Sequence, residues 1–564
     1  MQLKRKSKIF LAILLFFGVL AQGVTMFRSG LIYDFGMGFW GPNGHDAVWH
    51  LALANQVLEG FPPPHPTLAG FELTNYHYFY DLFLAVFNRL TTIPIRYLYF
   101  QVFPVFLALG IGLLSFLVGY FWRKDFWTGF WLAFFNYFAG SFGFLITLWR
   151  TKELGGESLF WSMQSISTLI NPSFALSLVV LLAGILGLLR LKKGQLWQII
   201  SLGLLFGILI NIKVYAGIIA LPALFVFALF KKKKEFWLIF LIALITSLIT
   251  FLLINREAAS LLVFQPFWFI HTMIETPDRL YLPRLAVARY AFTENKMVFR
   301  LFVLELGGLI IFLVGNLGMR MVGLVTLIKK NLKKDFTELD VLIMIGGALG
   351  LLIPLVFVQK GTAWNTIQFF YYFLFFANFY AAVALADLMK IKANFKWFLL
   401  GLVILLTIPT SLATLRGYLG WPPPTAISQG ELEALSFLKN QKKAVVLTYF
   451  YNPFEKQRFK QTPIPLYAYE TTAYVSALAN KQTFLEDEMN LIISGYDFEK
   501  RAEDEIKFFT TDNEIWARGF LLNNQIGYIY LVDQQEFRLT EEQLGIDQVF
   551  GNDQARIYQV RGII

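Results

Sequence analysis

Residues 236–254, FWLIFLIALITSLITFLLI, follow a run of lysines at 231–234 and contain no charged side chain. As a helix this stretch is long enough to cross roughly 30 Å of hydrocarbon, which takes about 20 residues. Similar apolar runs lie before and after it. The complete set of predicted spans is 9–27, 97–121, 126–149, 172–190, 196–210, 214–230, 236–254, 299–328, 339–358, 368–389 and 397–413. We therefore expect an α-helical polytopic membrane protein with about eleven transmembrane helices.

The composition of the chain agrees with residence in a membrane. Of its 564 residues 56% are hydrophobic and only 15% are charged, with a mean hydropathy of +0.55. Soluble domains carry about a quarter charged residues. The net charge of +11 alone would suit a nucleic-acid-binding protein, but the basic residues lie in short clusters between apolar runs. That distribution is typical of membrane topology and argues against a nucleic acid as partner.

The basic clusters occupy every second segment between the predicted spans. They lie at 4–8, 123–124, 190–193, 231–234, 329–334 and 390–396. Because basic residues are retained on the cytoplasmic side, this alternation places the N-terminus inside and the C-terminus outside. The chain has no cysteine, and Asn171, which precedes Pro172, is not a usable glycosylation site. Both absences fit a prokaryotic cytoplasmic membrane.

This topology assigns the sizeable segments 28–96, 150–171, 255–298 and 414–564 to the outer face. We expect a transmembrane domain at 1–413 and an extracytoplasmic domain at 414–564. All the histidines lie in the outer segments, namely His45, His50, His65, His77 and His271. Most of the polar chemistry is therefore predicted on one face of the membrane.

The first outer segment contains GPNGHDAVWHLALANQVLEG at 41–60. Asn43 is a suitable N-cap and Gly60 a suitable C-terminal cap, so a helix is predicted between them. On that helix Asp46 and His50 are four residues apart and share a face. An acid in the first turn also favours the helix dipole, so Asp46 has a purely structural explanation as well.

After a proline-rich connector, a second helix is expected to begin near Thr74 or Asn75 and to run through Asn88. His77 and Asp81 are again four residues apart, and an ordinary hydrogen-bonded pair would explain them. Both helices look amphipathic and suited to lie on a membrane surface. What favours a function is the number of acids and histidines in one segment: Asp34, His45, Asp46, His50, Glu72, His77 and Asp81.

The outer segment 255–298 contains arginines among aromatic residues: Arg256, Arg279, Arg284 and Arg289. Outer segments should be poor in arginine if charge served topology alone, and guanidinium groups suit the binding of a lipid phosphate. Interfacial snorkelling is the alternative explanation. Lys360 lies near the same face. Glu305 is a further candidate because it lies inside a span, where acids are costly.

The chain changes character after Arg416, and WPPP at 421–424 marks a rigid linker. Beyond it, helical patterns at 430–441 and 497–509 alternate with strand patterns at 444–451, 526–533 and 555–560. A small α/β domain is therefore predicted. It contains no phosphate-binding glycine loop and no histidine, so we expect acceptor recognition or a scaffold role rather than catalysis.

The layout resembles the GT-C superfamily of membrane glycosyltransferases, which use lipid-linked sugars. The resemblance is strongest in GHDAVWHLALANQVLEG at 44–60 and NYHYFYD at 75–81, and YETTAYVSALANKQTFLEDE at 469–488 is similar to a segment found after the linker in related proteins. It implies transfer of a sugar from a polyprenyl-phosphate carrier to a glycan, lipid or protein acceptor, usually with inversion. The chain lacks the WWD motif of oligosaccharyltransferases, which argues against protein N-glycosylation.

The resemblance also implies roles for individual residues. Asp46 corresponds to the family's first-loop acid and would be the general base, with Asp34 as its rival. His45, His50, His77 and Asp81 would either orient the base or hold a divalent metal ion. The candidates for binding the donor phosphate are Arg279, Arg284, Arg289 and Lys360.

Two other functions remain open from the sequence. A lipid or polysaccharide transporter or flippase would need polar residues through the middle of several helices, and Glu305, Asn136 and Lys213 are few for such a pathway. A non-catalytic membrane scaffold that displays its tail would not require the acids and histidines of the first outer segment.

Overall fold

The structure, a computed structural model, describes residues 4–192, 195–255 and 262–564. Within these ranges nine helices are long and apolar enough to cross a membrane, or ten if the bent pair Phe126–Phe138 and Gly143–Thr151 forms one span. A shorter apolar helical stretch covers Leu196–Ile212. Every predicted span overlaps one of these helices, so the predicted helical membrane fold is confirmed. Lys193 and Arg256 lie outside the described residues.

The chain divides into two compact units. The first, which we call the helical unit, consists of Met1–Thr25, Pro104–Leu253 and Ala258–Leu419. Its helices are Arg5–Phe27, Phe103–Arg123, Phe126–Phe138, Gly143–Thr151, Pro172–Arg190, Leu196–Gly207, Leu209–Ile212, Val214–Lys231, Lys234–Ile254, Trp268–Glu275, Pro283–Glu294, Val298–Leu317, Gly323–Lys333, Glu338–Val356, Gln368–Lys390, Phe395–Thr407 and Pro409–Leu419.

The second, which we call the α/β unit, consists of Met26–Phe103, Ile254–Glu257 and Gly420–Ile564. Its helices are Asp46–Gln56, Phe79–Thr91, Ile95–Tyr97, Gln429–Lys439, Leu466–Tyr469, Tyr474–Ala479, Glu488–Ser494, Glu499–Thr510, Glu514–Asn523 and Glu541–Leu544. The first outer segment and the C-terminal region thus belong to one compact unit.

The helices Phe103–Arg123 and Phe126–Phe138 of the helical unit lie so close together that their backbones are in contact. Asp125 caps the second of them, Phe126–Phe138, by accepting a hydrogen bond from Thr128 N at 3.0 Å. A Cβ atom on Gly119 would lie 2.8 Å from the Cα atom of Gly129, and one on Gly129 would clash with the carbonyl oxygen of Phe116. Only glycine permits this approach, which is a common device of membrane helix pairs.

A buried polar network joins several other helices of the same unit. The Arg320 guanidinium donates to Asn378 Oδ1 at 2.8 Å, to Gln164 Oε1 at 2.8 Å and to the Ala139 carbonyl at 3.1 Å. Asn378 in turn donates to Asn136 Oδ1 at 2.7 Å. Because each member finds a partner, burial of these groups in an apolar surrounding is compensated.

The described residues form ten strands, β1 (Ile32–Tyr33), β2 (Gly36–Phe39), β3 (Leu262–Phe264), β4 (Phe357–Gln359), β5 (Thr425–Ile427), β6 (Val445–Leu447), β7 (Ile464–Pro465), β8 (Ile526–Val532), β9 (Ile546–Gly551) and β10 (Ala555–Val560). One sheet of the α/β unit has the order β1-β2-β5-β7 and the other β6-β8-β10-β9. Strand β3 pairs with β4 in the helical unit.

The second sheet confirms the α/β prediction for the C-terminal region. Strand β8 is buried along its whole length, pairs parallel with β6 and antiparallel with β10, and places Tyr530 opposite Ile557. An uninterrupted apolar strand of this kind requires cover on both faces. The predicted strands at 444–451, 526–533 and 555–560 coincide with β6, β8 and β10, and the two predicted helices are also present.

Candidate active site

The helix that carries Asp46 begins at Asp46 itself and ends at Gln56. Asn43 is not its N-cap, because Gly41–Gly44 form a separate 3₁₀ turn in which the buried Asn43 donates to Ser29 Oγ at 2.9 Å. Gly60 is not its C-terminal cap, because the helix ends four residues earlier. Both capping predictions were wrong. The helix is also buried on nearly every side and is not the amphipathic surface helix that was expected.

His45, directly before this helix, lies between two carboxylates. Its Nδ1 donates to Asp46 Oδ1 at 2.8 Å, and its Nε2 lies 3.2 Å from Asp487 Oδ1. Burial by itself lowers the pKa of the imidazole, but the charge of Asp487 and the hydrogen bonds to both acids outweigh it, so the pKa of His45 lies well above its ordinary value. His45 is therefore a buried cation that holds both acids.

The two acids differ in accessibility. The Asp46 side chain is 55% exposed, whereas the Asp487 side chain is fully buried. Asp487 has a left-handed backbone and caps the helix Glu488–Ser494, accepting from Asn490 N at 3.2 Å and from Asn490 Nδ2 at 2.8 Å. His45 therefore fixes the orientation of the solvent-exposed Asp46 carboxylate, and the buried Asp487 holds His45 in place.

Asp487 is the residue that sequence reasoning missed. It lies far along the chain from His45, and no local spacing connects the two. A signal was present, because LEDE at 485–488 ends the segment 469–488 that resembles related proteins. Three consecutive acids, Glu486, Asp487 and Glu488, are unusual at buried positions unless a partner compensates them.

His50 forms a second, separate pair. Its Nδ1 lies 2.8 Å from Asp81 Oδ1, and the ring stacks on Tyr99 with 5.9 Å between centroids. The helix that carries Asp81 spans Phe79–Thr91, so it begins later than predicted and His77 precedes it. His77 stacks on Tyr76 with 4.8 Å between ring centroids, and its predicted pairing with Asp81 stays a prediction.

The rival acid, Asp34, lies in the exposed turn between β1 and β2. The turn depends on Gly36, whose φ of 111° is accessible to few residues other than glycine, and a Cβ there would clash with the Ile427 carbonyl oxygen. Asp34 is therefore well exposed, and its part in catalysis stays a prediction.

The histidines and acids of the first outer segment do not converge. Across residues 4–192, 195–255 and 262–564, no group of three or more histidine, aspartate and glutamate side chains is arranged to hold a metal ion. His45 contacts Asp46 and Asp487, His50 contacts Asp81, and His77 stacks on an aromatic ring. The described residues therefore do not fit the predicted metal site.

The predicted phosphate-binding cations belong to the helical unit. Arg279 packs its guanidinium 3.9 Å from the centre of the Trp161 ring and lies 3.4 Å from Asp278. Arg289 pairs with Glu275. Arg284, on the helix Pro283–Glu294, and Lys360, after β4, are exposed. Two of the four predicted cations are thus already engaged by acids.

Glu305 is partly buried and lies 2.8 Å from His271 Nε2. The pair joins the helices Trp268–Glu275 and Val298–Leu317. A histidine partner accounts for an acid at this depth, so Glu305 has a structural explanation.

No family model and no curated protein sequence matches the chain. The chain is similar to solved structures of the oligosaccharyltransferase from the archaeon Archaeoglobus fulgidus. The apo form is 13% identical with a TM-score of 0.52, and the match covers 93% of this chain and 69% of that one. The form with a tethered acceptor peptide is 12% identical with a TM-score of 0.51 over 93% and 69%. The form with zinc and sulfate is 13% identical with a TM-score of 0.52 over 92% and 68%.

The protein has the GT-C fold. Because the match covers more than nine tenths of the chain, the GT-C similarity extends over both units and is not restricted to the apolar helices. The resemblance inferred from the sequence is confirmed at the level of the fold.

Proposed function

We propose that the protein is a membrane glycosyltransferase that moves a sugar from a polyprenyl-phosphate carrier to an acceptor hydroxyl. The observation that carries this proposal is an exposed carboxylate, Asp46, held by the buried cation His45 on a GT-C fold. One structural neighbour was solved with an inhibitory peptide and a dolichol-phosphate, which supports a carrier of this class.

Asp46 acts as the general base in the proposed reaction. It takes the proton from the acceptor hydroxyl while that oxygen attacks the anomeric carbon of the sugar. The bond between this carbon and the phosphate oxygen breaks on the opposite face, its electron pair leaves with the lipid phosphate, and the anomeric configuration inverts. His45 is a positioning residue, because its hydrogen bond fixes the carboxylate before the acceptor arrives.

We propose that the predicted phosphate-binding cations stabilise the negative charge on the departing phosphate. Arg284 and Lys360 are exposed, and within the described part of the chain neither forms an ion pair with an acid, whereas Arg279 and Arg289 do. We assign the main role to Arg284 and Lys360, and a secondary role to Arg279 and Arg289.

The metal question has a direct test. A neighbour was solved with zinc and sulfate, but the described residues of this chain do not form a cluster of three ligands. The proposed steps therefore use only the chain's own side chains. Elemental analysis of the purified protein and of a His50→Ala variant shows whether the first outer segment binds an ion.

We further propose the orientation that the basic clusters predict. Segments 28–96, 150–171, 255–298 and 414–564 face the outside of a prokaryotic cytoplasmic membrane, where lipid-linked sugars present their head groups. The lysines at 231–234 face the cytoplasm.

The transporter alternative is disfavoured by the buried polar groups of the helical unit. Asn136, one of the few candidates for a pathway, accepts from Asn378 and donates to Ser115 Oγ at 2.7 Å. Lys213 lies 3.4 Å from Asn171 Oδ1. Residues that line a transport pathway must be able to form hydrogen bonds with the transported molecule, whereas Asn136 and Lys213 already contact neighbouring parts of the chain.

The proposal is tested by reconstituting the protein in liposomes with radiolabelled polyprenyl-phosphate sugars and candidate acceptors. Asp46→Asn is expected to lower transfer by a factor of about 10² to 10⁴, the usual contribution of a general base. Asp34→Asn is measured in parallel, because Asp34 is the rival base in the same segment and loss of transfer in this variant would assign the base to Asp34. If Asp46→Asn transfers sugar at the rate of the wild type, the catalytic assignment is wrong.

A further inference from the structure

A small cleft in the α/β unit, open to solvent, is rich in carboxyl groups. Its acidic lining residues are Glu470, Glu486, Asp487, Glu488 and Glu505. Aromatic rings provide much of the remaining wall: Tyr449, Phe450, Tyr451, Tyr467, Tyr474 and Tyr530. Among the described residues that line it, none is lysine, arginine or histidine. The cleft therefore combines negative charge with aromatic faces.

Only part of this acidity is satisfied from within the protein. Glu486 accepts hydrogen bonds from Val475 N and Ser476 N, both at 3.0 Å, at the start of a short helix. Asp487 is engaged by His45 and Asn490. The charges of His45 and Lys456, which do not line the cleft, act on Glu470. No cation among the described lining residues compensates Glu488 or Glu505, so the cleft retains an excess of acid.

Buried polar atoms in the wall of the cleft point independently to a ligand. Thr472, which is 6% exposed, and Glu505, which is 2% exposed, each carry a buried oxygen, Oγ1 and Oε1, with no hydrogen-bond partner in the described chain. Both side chains line the cleft. Most buried polar atoms are paired, so a partner from outside the protein is expected here.

We infer that the cleft binds a positively charged amino group. An ammonium ion donates three hydrogen bonds, which suits the carboxylate of Glu505 and the hydroxyl of Thr472, and the tyrosine rings attract it through cation–π contact. A phosphate or carboxylate ligand would be repelled by the acids. A metal ion is disfavoured because the described carboxyl groups do not gather as a set of ligands.

The pKa shifts of two acids in the cleft agree with this assignment. Burial raises the pKa of Glu486 to about 8, and burial together with the charges of Glu488 and Glu486 raises the pKa of Glu505 well above its ordinary value. Both shifts mean that these acids lack a positive charge beside them, and a bound ammonium group would supply it.

The cleft adjoins the candidate base. Asp487 lines the cleft and also contacts His45, which holds Asp46. A molecule with its amino group in the cleft would therefore lie beside Asp46, as an acceptor must. The inference that the bound amine belongs to the acceptor rests on the proposed function. The inference that the cleft binds an amine does not.

The test is isothermal titration calorimetry of the full-length protein in detergent, with ethanolamine and its uncharged analogue N-acetylethanolamine as probes. Ethanolamine is expected to bind at least about tenfold more tightly, because only it carries the positive charge. Glu505→Gln and Thr472→Val should each weaken ethanolamine binding about fivefold or more. Glu433→Gln is the matched control, since Glu433 is an exposed acid of the same unit outside the cleft.

The inference is overturned if N-acetylethanolamine binds as tightly as ethanolamine, if neither probe binds, or if Glu433→Gln weakens binding as much as Glu505→Gln. Should Glu505→Gln lower the melting temperature, Thr472→Val decides the matter, because it keeps the shape of the side chain and the charge of the cleft. Sugar transfer is measured separately, so failure of the glycosyltransferase proposal and failure of the amine site are distinct results.

Discussion

A histidine that is buried between two acids behaves differently from a histidine in solution. His45 gains its proton from the field of Asp487 and from hydrogen bonds to both acids, in spite of the burial that opposes it. Asp487 is itself buried and depends on this cation. At the scale of single residues the pair thus links the orientation of Asp46 to the stability of the α/β unit.

His45→Gln is expected to destabilise the α/β unit by about 3 kcal/mol, because it leaves the Asp487 carboxylate buried without a cation. Thermal unfolding in detergent measures the effect. The double variant His45→Gln/Asp487→Asn should recover part of the loss, since it removes the uncompensated charge as well. Losses that simply add in the double variant would contradict the proposed ion pair.

Glu431 makes the stability of the same unit dependent on pH. Burial raises the pKa of this carboxyl from 4.5 to about 7. A carboxyl group whose pKa is higher in the folded than in the unfolded protein stabilises the fold at pH values below the unfolded-state pKa. This stabilisation is lost as the pH rises through the folded-state pKa. Stability should therefore fall between about pH 4.5 and pH 7, by on the order of 3 kcal/mol. The raised pKa of His45 acts in the same direction.

Glu431→Gln should flatten this pH dependence and raise the melting temperature at pH 8. Glutamine retains the capping interaction with Ser428, because its amide oxygen can accept the bond from Ser428 N that Glu431 accepts at 3.1 Å. The exposed neighbour Glu433→Gln serves as control. An unchanged slope in Glu431→Gln would show that other groups govern the pH response.

At the scale of elements, the close contact of Phe103–Arg123 with Phe126–Phe138 makes a specific prediction. Gly129→Leu should lower the melting temperature sharply, because the side chain would collide with the backbone of Phe116. Gly401→Leu is the control: it is also a helical glycine, but among the described residues no atom outside its own helix lies within 4 Å of the position that a Cβ atom would take. Equal effects in the two variants would rule out the packing explanation.

The sequence predicted the long elements well and the short ones poorly. Every predicted apolar run is helical, and the predicted strands of the C-terminal region are present. Long apolar runs, and apolar residues that alternate with polar ones, directly reflect which side chains are buried. The two helices of the first outer segment began later than predicted. The reason is tertiary: Ser29 accepts a hydrogen bond from Asn43, and so the capping residue that local sequence favours is used elsewhere.

For the candidate site, the sequence could not predict which residues that lie far apart along the chain contact each other. The sequence singled out Asp46, His45, His50 and Asp81, but helical spacing could suggest only pairs within one helix, such as His77 with Asp81. It did not predict that Asp81 contacts His50 from another helix, or that His45 contacts Asp487 from the C-terminal region. Periodicity describes neighbours on one helix and carries no information about contacts between helices.

At the scale of the whole molecule, the orientation of the chain can be read by labelling, because the protein has no cysteine of its own. Single variants Glu72→Cys, Asp512→Cys and Lys232→Cys place a thiol at exposed positions. In intact cells a membrane-impermeant maleimide should label the first two and leave Lys232→Cys unlabelled until the membrane is opened. Labelling of Lys232→Cys together with Glu72→Cys would contradict the orientation and with it the proposed reaction at the outer face.

The first sheet of the α/β unit has a consequence for biosynthesis. Strand β2 lies between β1 and β5, and near its end Trp40 donates to the Gly420 carbonyl across 380 residues of sequence. A ribosome that adds about 5–20 residues per second needs roughly 20–80 seconds to make the missing neighbour. Throughout that time the nascent hairpin exposes an open edge, which other strands can join. Expression hosts that translate slowly, or chains truncated before residue 425, should therefore yield aggregated protein.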